Sequence, residues 1–215
     1  MIKNIKGRSG LPEKCEPTES STWTTTGATG SRDQLAEDNQ VPGLLGQLKE
    51  DYLAHYRGWN LPGFQAVAVL RFGKWTRRAP RPFRKLLRMY YRLAYEFVRN
   101  FYGIEMLDTI KLGRRVTIGH QHGIVIHPHA EIGDECVIRQ GCTIGAATDE
   151  GWARQVPRLG KRVSMGAGSV VIGTVVIGDD VRIGPNAVVV TSIPSGSIVL
   201  ANTPRIIKTS AQDVA

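Results

Sequence analysis

The sequence predicts a mainly β fold, a parallel β-helix preceded by an α-helical segment, and a six-residue period is the main reason. An aliphatic residue recurs about every six residues from Leu112 to Pro194, and Gly follows it in most units. A helix would need apolar spacing near ~3.6 residues and an ordinary strand a spacing of about two, so neither explains this period. Repeats this short stack as coils that bury their aliphatic residues against the next coil, with three units in each triangular turn.

The repeat can be followed residue by residue. The residues that open the units are Leu112, Ile118, Ile124, Ile132, Ile138, Ile144, Leu159, Met165, Val171, Ile177, Ile183 and Val189. A small or β-branched residue follows four positions later in most units, and Cys136 and Cys142 occupy this position in neighbouring units. We therefore interpret both cysteines as small buried hydrophobes rather than as redox or nucleophilic groups. With Cys15 the count is odd and sparse, which argues against a disulfide framework.

The residues before the repeat divide into two parts. Residues 1–40 are rich in Ser, Thr, Gly and charge and contain few apolar residues, so they are predicted to be mostly disordered. Residues 41–102 carry apolar residues at helical spacing, interrupted twice by Pro-containing breaks. They predict three helices, of which the third ends at Gly103. This helical segment is expected to cap the first coil, whose edge would otherwise be unpaired.

The β-helix itself is predicted to span residues 103–200, with residues 201–215 as a tail. One insertion interrupts the period, because Glu150–Arg158 has no place in the repeat. The insertion must leave the coil as a loop, and a loop held by a rigid scaffold is a good candidate for a functional element.

The charge of the chain is uneven. The net charge is +9, and the stretch from Arg71 to Arg99 contains ten Lys or Arg but only one acidic residue. Such a block favours an anionic partner, such as a phosphorylated cofactor, a nucleic acid or an anionic membrane surface, although a solvated helix face has the same composition. No nucleic-acid-binding signature accompanies the block, so no nucleic-acid partner is expected. Peripheral membrane contact through residues 71–99 is kept as a hypothesis.

The location expected from the sequence is the cytoplasm. No apolar run approaches the ~20 residues that a membrane-spanning helix needs. Residues 1–40 also lack the apolar core of a signal peptide.

Four of the five histidines fall within ten residues: His120, His122, His127 and His129. A neutral imidazole is suited to general-base catalysis near neutral pH, where it can activate a hydroxyl group. Histidine nitrogens are also the ligands that a catalytic zinc ion prefers. The residues alone therefore leave both hydroxyl activation and metal catalysis open.

Four stretches around and after these histidines carry a resemblance to a known family. They are Ile118–Ile126 (IGHQHGIVI), Ala130–Ile138 (AEIGDECVI), Gln140–Gly145 (QGCTIG) and Pro204–Ile206 (PRI). Over roughly residues 103–207 the chain resembles the serine acetyltransferase family of hexapeptide acyltransferases. The resemblance implies a left-handed parallel β-helix, a homotrimer or a dimer of trimers, acetyl-CoA bound between adjacent subunits, no metal, and a place in cysteine biosynthesis.

The resemblance also implies the roles of individual residues. The family's general base maps to His120, and the carboxylate that orients it maps to Glu105, 15 residues earlier and so a little under one coil away. On the acceptor side the corresponding residues are Gly119, His122 and Gly123, and the N–H of Gly123 is the candidate donor to the oxyanion.

Seven further residues are candidates for binding acetyl-CoA. Small residues would let the pantetheine arm run close to the backbone, and cationic residues would meet the phosphates. These candidates are Gly145, Gly166, Ala167, Lys161, Arg162, Arg205 and Lys208.

Two departures from the family pattern concern the acceptor. Where the family has Asp immediately before the base, this chain has Gly119. The family also has a second histidine in its inserted loop, and the corresponding position here is Gln155 or Val156.

The sequence predicts an acetyl-CoA-dependent O-acetyltransferase, with serine as the first acceptor and a sugar of a surface polysaccharide as the alternative. A zinc-dependent hydratase similar to the γ-type carbonic anhydrases is the second alternative.

Overall fold

A computed structural model of the chain describes residues 42–148 and 155–202. The segment 1–40 that is predicted to be disordered, the motif Pro204–Ile206, and the candidate phosphate ligands Arg205 and Lys208 lie outside the described residues. Within the described part no helix is long and apolar enough to cross a membrane.

Three helices come first: α1 (Leu44–Ala54), α2 (Pro62–Thr76) and α3 (Arg81–Tyr102). Proline stands in the first turn of both α2 and α3, where its missing N–H costs nothing. Helix α3 ends as the sequence predicts, because Gly103 adopts a left-handed conformation with φ of 60°.

Fourteen short strands follow in the described part of the chain. They are β1 (Ile104–Met106), β2 (Lys111–Leu112), β3 (Thr117–Ile118), β4 (Ile124–Ile126), β5 (Glu131–Ile132), β6 (Val137–Ile138), β7 (Thr143–Gly145), β8 (Arg158–Leu159), β9 (Ser164–Met165), β10 (Val170–Ile172), β11 (Val176–Ile177), β12 (Arg182–Ile183), β13 (Val188–Val189) and β14 (Ile198–Val199).

The strands form three parallel sheets. The first sheet has the order β1-β4-β7-β10-β13, the second β2-β5-β8-β11 and the third β3-β6-β9-β12-β14. Strands three apart in the sequence are therefore neighbours, except that β14 lies next to β12 in the third sheet, and this is the topology of a triangular coil. The predicted parallel β-helix is confirmed.

The interior is a column of stacked aliphatic side chains. Ile118 pairs with Ile138, which pairs with Met165, which pairs with Ile183, and all four are buried. Cys136 and Cys142 are also buried, as expected. Burial raises the pKa of the Cys136 thiol to about 11, so it stays protonated and unreactive at neutral pH.

The coils are not all of one length. Paired residues of the first sheet are 20 residues apart between β1 and β4, 18 between β4 and β7, and 27 between β7 and β10. The long coil contains the predicted insertion. Arg158 is not part of that insertion, because it is the first residue of β8 and pairs with Glu131.

The register corrects one part of the repeat. Ile126, not Ile124, pairs with Ile144, although both Ile124 and Ile126 are buried. Ile126 therefore follows Ile118 by eight positions, whereas the residues that pair with them in the next coil, Ile138 and Ile144, are six positions apart. The two extra residues fall at the turn that holds His120 and His122.

The helical segment caps the open edge of the first coil, as predicted. The guanidinium of Arg71 donates to the carbonyl oxygens of Leu112, at 3.1 Å, and Gly113, at 2.5 Å. It also pairs with the buried carboxylate of Asp51 at 2.9 Å. The N–H of Ile118 donates to Nε2 of His55 at 3.1 Å. Polar groups that a neighbouring coil would otherwise satisfy are thus bonded by side chains of α1, α2 and the turn after α1.

Candidate active site

The two turn histidines lie where the chain passes from the third sheet to the first. We call this edge the histidine corner, and it consists of residues 119–123, 139–142, 166–169 and 184–187 on successive coils. His120 and His122 are both exposed here, on the first coil. The two extra residues of that coil make its turn wider than the turn at 139–142 in the next coil.

The backbone of this turn is fixed from above and below. The N–H of His122 donates to the carbonyl oxygen of Tyr102 at 2.7 Å, and its own carbonyl accepts from Gly141 at 2.9 Å. His122 and Gly123 have φ of 75° and 70°. A positive φ is unfavourable for a residue with a side chain. The two hydrogen bonds to Tyr102 and Gly141 offset this cost and hold the backbone of His122 in place.

Three N–H groups of the turn, those of His120, Gln121 and Gly123, have no hydrogen-bond acceptor within the described residues. The N–H of Gly123 is one of them, although its neighbours His122 and Ile124 donate to Tyr102 and Gly103. The glycine has no side chain to cover the group. A free N–H at this turn is a suitable donor to a developing oxyanion.

The structure does not join the predicted base to the predicted carboxylate. Glu105 lies in β1 opposite Val125, and both Glu105 and His120 are exposed. Their side chains share no hydrogen bond among the contacts of the described residues. Burial raises the pKa of the Tyr95 hydroxyl, and the nearby carboxylate of Glu105 raises it further, so Glu105 lies close to α3. Orientation of His120 by Glu105 stays a prediction.

His127 and His129 lie at a different edge of the coil, where the chain passes from the first sheet to the second. Their ring centroids are 5.8 Å apart, and burial, followed by the neighbouring His129, lowers the pKa of His127. Within the described residues, no three His, Cys, Asp or Glu side chains are placed to hold a metal ion. The strand β4 separates these two histidines from His120 and His122.

The candidate coenzyme residues are spread over all three edges of the coil. Gly166 and Ala167 lie on the histidine corner, two coils from His120. However, a Cβ at Gly166 would lie 2.6 Å from the nitrogen of Pro185, so close packing of coils already requires this glycine. Gly145 ends β7, five residues before the insertion, and a Cβ there would meet no atom closer than 3.7 Å.

Lys161 and Arg162 lie at the edge between the second and third sheets. Arg162 pairs with Asp180 at 2.6 Å, one coil further along, and Arg115 pairs with Glu135 in the same way. All four of these residues have φ between 55° and 60°. The ion pair of Arg162 therefore belongs to a repeated turn structure, and a phosphate would compete with Asp180 for its guanidinium.

One charged residue of the histidine corner was missed by the sequence analysis. Arg139 follows β6 directly and lies one coil beyond Gly119. A Cβ at Gly119 would be 3.5 Å from Cγ of Arg139. Arg139 and Gly119 are 20 residues apart, because the coil between them contains the wide turn. The regular period of the repeat therefore does not predict that these two residues are neighbours.

A second charged feature lies on the helical segment. A cavity of about 650 Å³ is lined by Arg77, Arg84, Lys85, Arg88, Met89 and Arg92. The carboxylate of Asp108 holds two of these guanidinium groups, those of Arg77 and Arg88, each at 2.6 Å. Burial would raise the pKa of Asp108, but hydrogen bonds from both arginines outweigh it and hold the pKa at about 2.

The chain is similar in sequence to hexapeptide transferases and to serine acetyltransferases. The family described as bacterial transferase hexapeptide (six repeats) matches residues 157–191. A serine acetyltransferase of Mycobacterium tuberculosis is 38% identical over 139 residues, which cover 65% of this chain and 58% of that protein. Serine acetyltransferases of two Helicobacter pylori strains are 43% and 40% identical, over 49% and 54% of this chain and 61% and 67% of their own lengths. The chain thus spans about three fifths of the length of the first of these relatives.

Solved structures of serine acetyltransferases are similar to this chain in fold. Native serine acetyltransferase 1 of Entamoeba histolytica has a TM-score of 0.61 and 29% identity, over 78% of this chain and 66% of that one. A serine acetyltransferase of Brucella abortus, solved in complex with coenzyme A, has a TM-score of 0.64 over 81% of this chain and 71% of that one. Its identity of 22% supports the fold alone.

Proposed function

Because the chain belongs to the serine acetyltransferase family, we propose that it transfers the acetyl group of acetyl-CoA to the hydroxyl group of an acceptor. The observation that carries this proposal is the wide turn of the histidine corner, which contains both the exposed imidazole of His120 and the N–H of Gly123, for which the described residues offer no acceptor. A general base and an oxyanion donor within one turn are the two groups that acyl transfer to an alcohol requires.

The proposed reaction has no covalent enzyme intermediate. His120 removes the proton of the acceptor hydroxyl as its oxygen attacks the thioester carbonyl carbon, and the carbonyl oxygen gains negative charge. The N–H of Gly123 donates to this oxygen. The carbon–sulfur bond then breaks, the ester forms, and the thiolate of coenzyme A takes the proton from His120. Glu105 is proposed to orient the imidazole and to stabilise its protonated form.

Acetyl-CoA is proposed to lie between adjacent subunits, against the histidine corner of one of them, because its candidate ligands lie on all three edges of a single coil. Ala167, which is only partly buried on that corner, leaves room for a pantetheine arm, and Gly145 leaves room at the end of β7. Lys161 and Arg162, together with Arg205 and Lys208 outside the described residues, are the candidate phosphate ligands. The curated relatives, which are serine acetyltransferases, support acetyl-CoA as the acyl donor.

Serine is proposed as the first acceptor, since the relatives that match are serine acetyltransferases. A place in cysteine biosynthesis and a cytoplasmic location, where acetyl-CoA is available, follow from that proposal. A sugar hydroxyl is the second candidate, because Gly119 gives the acceptor side no carboxylate for an ammonium group. A zinc hydratase is not favoured, since the comparisons name acetyltransferases and the four histidines divide between two edges of the coil.

The proposed assembly is a homotrimer or a dimer of trimers. Helix α3 has an apolar face that supports an interface between copies, formed by Phe83, Leu86, Tyr90, Leu93, Phe97 and Phe101, each roughly half or more exposed. Exposed apolar patches of this extent are typical of interaction sites.

The cationic side of α3 is the part proposed to contact an anionic membrane surface. Arg88 and Tyr90 are two residues apart and therefore point to nearly opposite sides of the helix, about 200° apart. A flat membrane can thus meet the cationic face or the apolar face, but not both. Binding to anionic vesicles at low salt that is lost at high salt, and lost in Arg84→Gln/Arg92→Gln, is the expected result; no binding at low salt contradicts the membrane contact.

Release of the coenzyme A thiol tests the enzymatic proposal. Purified protein is given acetyl-CoA with a panel of amino acids and nucleotide sugars. Thiol release that depends on an added hydroxyl compound, with the O-acetyl ester as product, is expected. Release of no thiol with any member of the panel, from protein that binds acetyl-CoA, would contradict the proposed activity.

A further inference from the structure

Arg139 is the residue of the histidine corner for which neither the fold nor the proposed mechanism accounts. The backbone N–H of Gly119 donates to the carbonyl oxygen of Ile138 at 2.8 Å. This bond places Gly119, the residue before the proposed base, directly next to Arg139 on the neighbouring coil. The aliphatic part of the Arg139 side chain passes Gly119, with Cγ 3.5 Å from where a Cβ would stand.

Among the residues that the structure describes, the guanidinium of Arg139 has no partner. It is exposed, and in residues 42–148 and 155–202 it forms no hydrogen bond or ion pair. Other arginines at the coil edges differ in this respect. Arg114 pairs with Glu50, Arg115 with Glu135 at 2.7 Å and Arg162 with Asp180 at 2.6 Å.

The surroundings of Arg139 on the corner contain no negative charge. The turns GHQHG, RQGC, GAGS and GPNA, which make up the corner, include no Asp or Glu and no other Lys or Arg. Besides Glu105, which is proposed to orient His120, the acceptor would therefore meet one charged side chain of the corner, the exposed cation of Arg139. A guanidinium without a carboxylate partner is suited to bidentate binding of a carboxylate or a phosphate.

We propose that Arg139 binds an anionic group of the acceptor, so that the preferred substrate is an alcohol that carries a carboxylate or a phosphate near the reacting hydroxyl. This inference rests on the proposed function and deepens it by naming the class of acceptor. If serine is the acceptor, Arg139 would bind its carboxylate, whereas Gly119 offers no side chain that could bind its ammonium group.

Pairs of acceptors that differ in one group test the inference. Serine is compared with serinamide, and glucuronate with glucose, so that a carboxylate is replaced by a neutral group in each pair. A third pair, a sugar phosphate and the same free sugar, distinguishes phosphate from carboxylate recognition. In the wild-type protein we expect kcat/KM to favour an anionic member of at least one pair by about 10- to 100-fold, the usual effect of a hydrogen-bonded charge.

The variant Arg139→Gln should remove this preference. KM for the anionic acceptor is expected to rise about 10- to 100-fold with kcat little changed, while the neutral member of the pair keeps its wild-type constants. Arg139→Lys should restore part of the preference, since a lysine retains the charge but not the planar fork. Arg182→Gln is the matched control, because Arg182 is an exposed arginine of the third sheet that lies two coils beyond Arg139.

Two results would overturn the inference while leaving acetyl transfer intact. One is an equal loss of kcat for charged and neutral acceptors, which would assign Arg139 to the thioester oxygen. The other is an unchanged preference in Arg139→Gln. Absence of acceptor-dependent thiol release in the wild-type protein would instead reject the proposed function, and the inference with it.

Discussion

The imidazole of His55 accepts the backbone N–H of Ile118 across 3.1 Å, so a side chain that follows α1 completes the first coil of the β-helix. The other ring nitrogen, Nδ1, is 2.7 Å from the carbonyl oxygen of Asp51 and donates to it. This pair of bonds requires a neutral imidazole with its proton on Nδ1. The cap therefore depends on the protonation state of one buried histidine.

Stability should consequently fall as the pH drops below the ordinary histidine pKa. Burial lowers the pKa of His55 from its ordinary value of 6.5. Between that value and the lowered value, the unfolded chain binds a proton that the folded chain does not, so the free energy of unfolding decreases as the pH falls through this window. Chemical denaturation at a series of pH values measures the slope.

The variant His55→Gln isolates the contribution of this histidine. It keeps an acceptor for Ile118 but does not titrate, so its free energy of unfolding should vary less over the same window. His55→Leu should cost about 1–3 kcal/mol at neutral pH, because the N–H of Ile118 is left unsatisfied. A pH slope in His55→Gln equal to that of the wild type would contradict the assignment.

The buried pair of Arg71 and Asp51 should be the more expensive part of the cap to break. The two side chains are 5% and 1% exposed, and the guanidinium also bonds to the carbonyl oxygens of Leu112 and Gly113. Asp51→Asn leaves that guanidinium buried without its counter-charge, and a cost of about 3–5 kcal/mol is expected.

The control for this prediction is the exposed pair of Lys111 and Glu131, in which the lysine side chain is 74% exposed. Glu131→Gln should cost no more than about 1 kcal/mol, since water solvates both charges. Urea unfolding of the two variants gives the comparison. Similar small losses in both would mean that Arg71 does not hold the coil edge.

Gly63→Ala tests the packing of α2 on the coil. A Cβ at this position would meet the backbone oxygen of Ile118 far inside van der Waals contact, and Cβ of Ile118 at 2.9 Å. Helix α2 must then move off the first coil, and we expect a loss of about 1–3 kcal/mol despite the better helix propensity of Ala. Gly43→Ala, where the added Cβ meets no atom within 4 Å, is the control in thermal unfolding.

The fold was predictable because the side chains of the coils obey a strict order. Ile118, Ile138, Met165 and Ile183 each open a six-residue unit and face inward, and they pair in the third sheet although 20, 27 and 18 residues separate them. The end of α3 could also be predicted, since Gly103 has a permissive backbone, whereas the sequence assigns Pro62 to the break before α2 and it is in fact the first residue of that helix.

The exact shape of the candidate site could not be predicted in the same way. Ile124 and Ile126 both face inward because alternate residues of a strand share a face, and the sequence does not show which one continues the row. Only the hydrogen bonds to Cys142 and Ile144 decide it. The wide turn at His120, and the position of Arg139 beside Gly119, both follow from that register.

Glu105→Gln examines the proposed orienting carboxylate, which shares no hydrogen bond with His120 among the described residues. If Glu105 stabilises the imidazolium during the reaction, kcat should fall on the order of tenfold or more while the affinity for acetyl-CoA is unchanged. Steady-state kinetics and direct titration of acetyl-CoA measure the two quantities separately. A change confined to acetyl-CoA binding would remove Glu105 from the acceptor side of the reaction.

The most direct measurement of the proposed chemistry is acceptor-dependent thiol release from acetyl-CoA by the wild type, His120→Asn and His129→Asn. His120→Asn should lower kcat by at least ~10²-fold, with the thermal unfolding midpoint and acetyl-CoA affinity retained, because only proton removal is lost. His129→Asn, which changes an exposed histidine at another edge of the β-helix, should turn over at nearly the wild-type rate. Near-normal turnover in folded His120→Asn would contradict the account, since no general base would then act at the histidine corner.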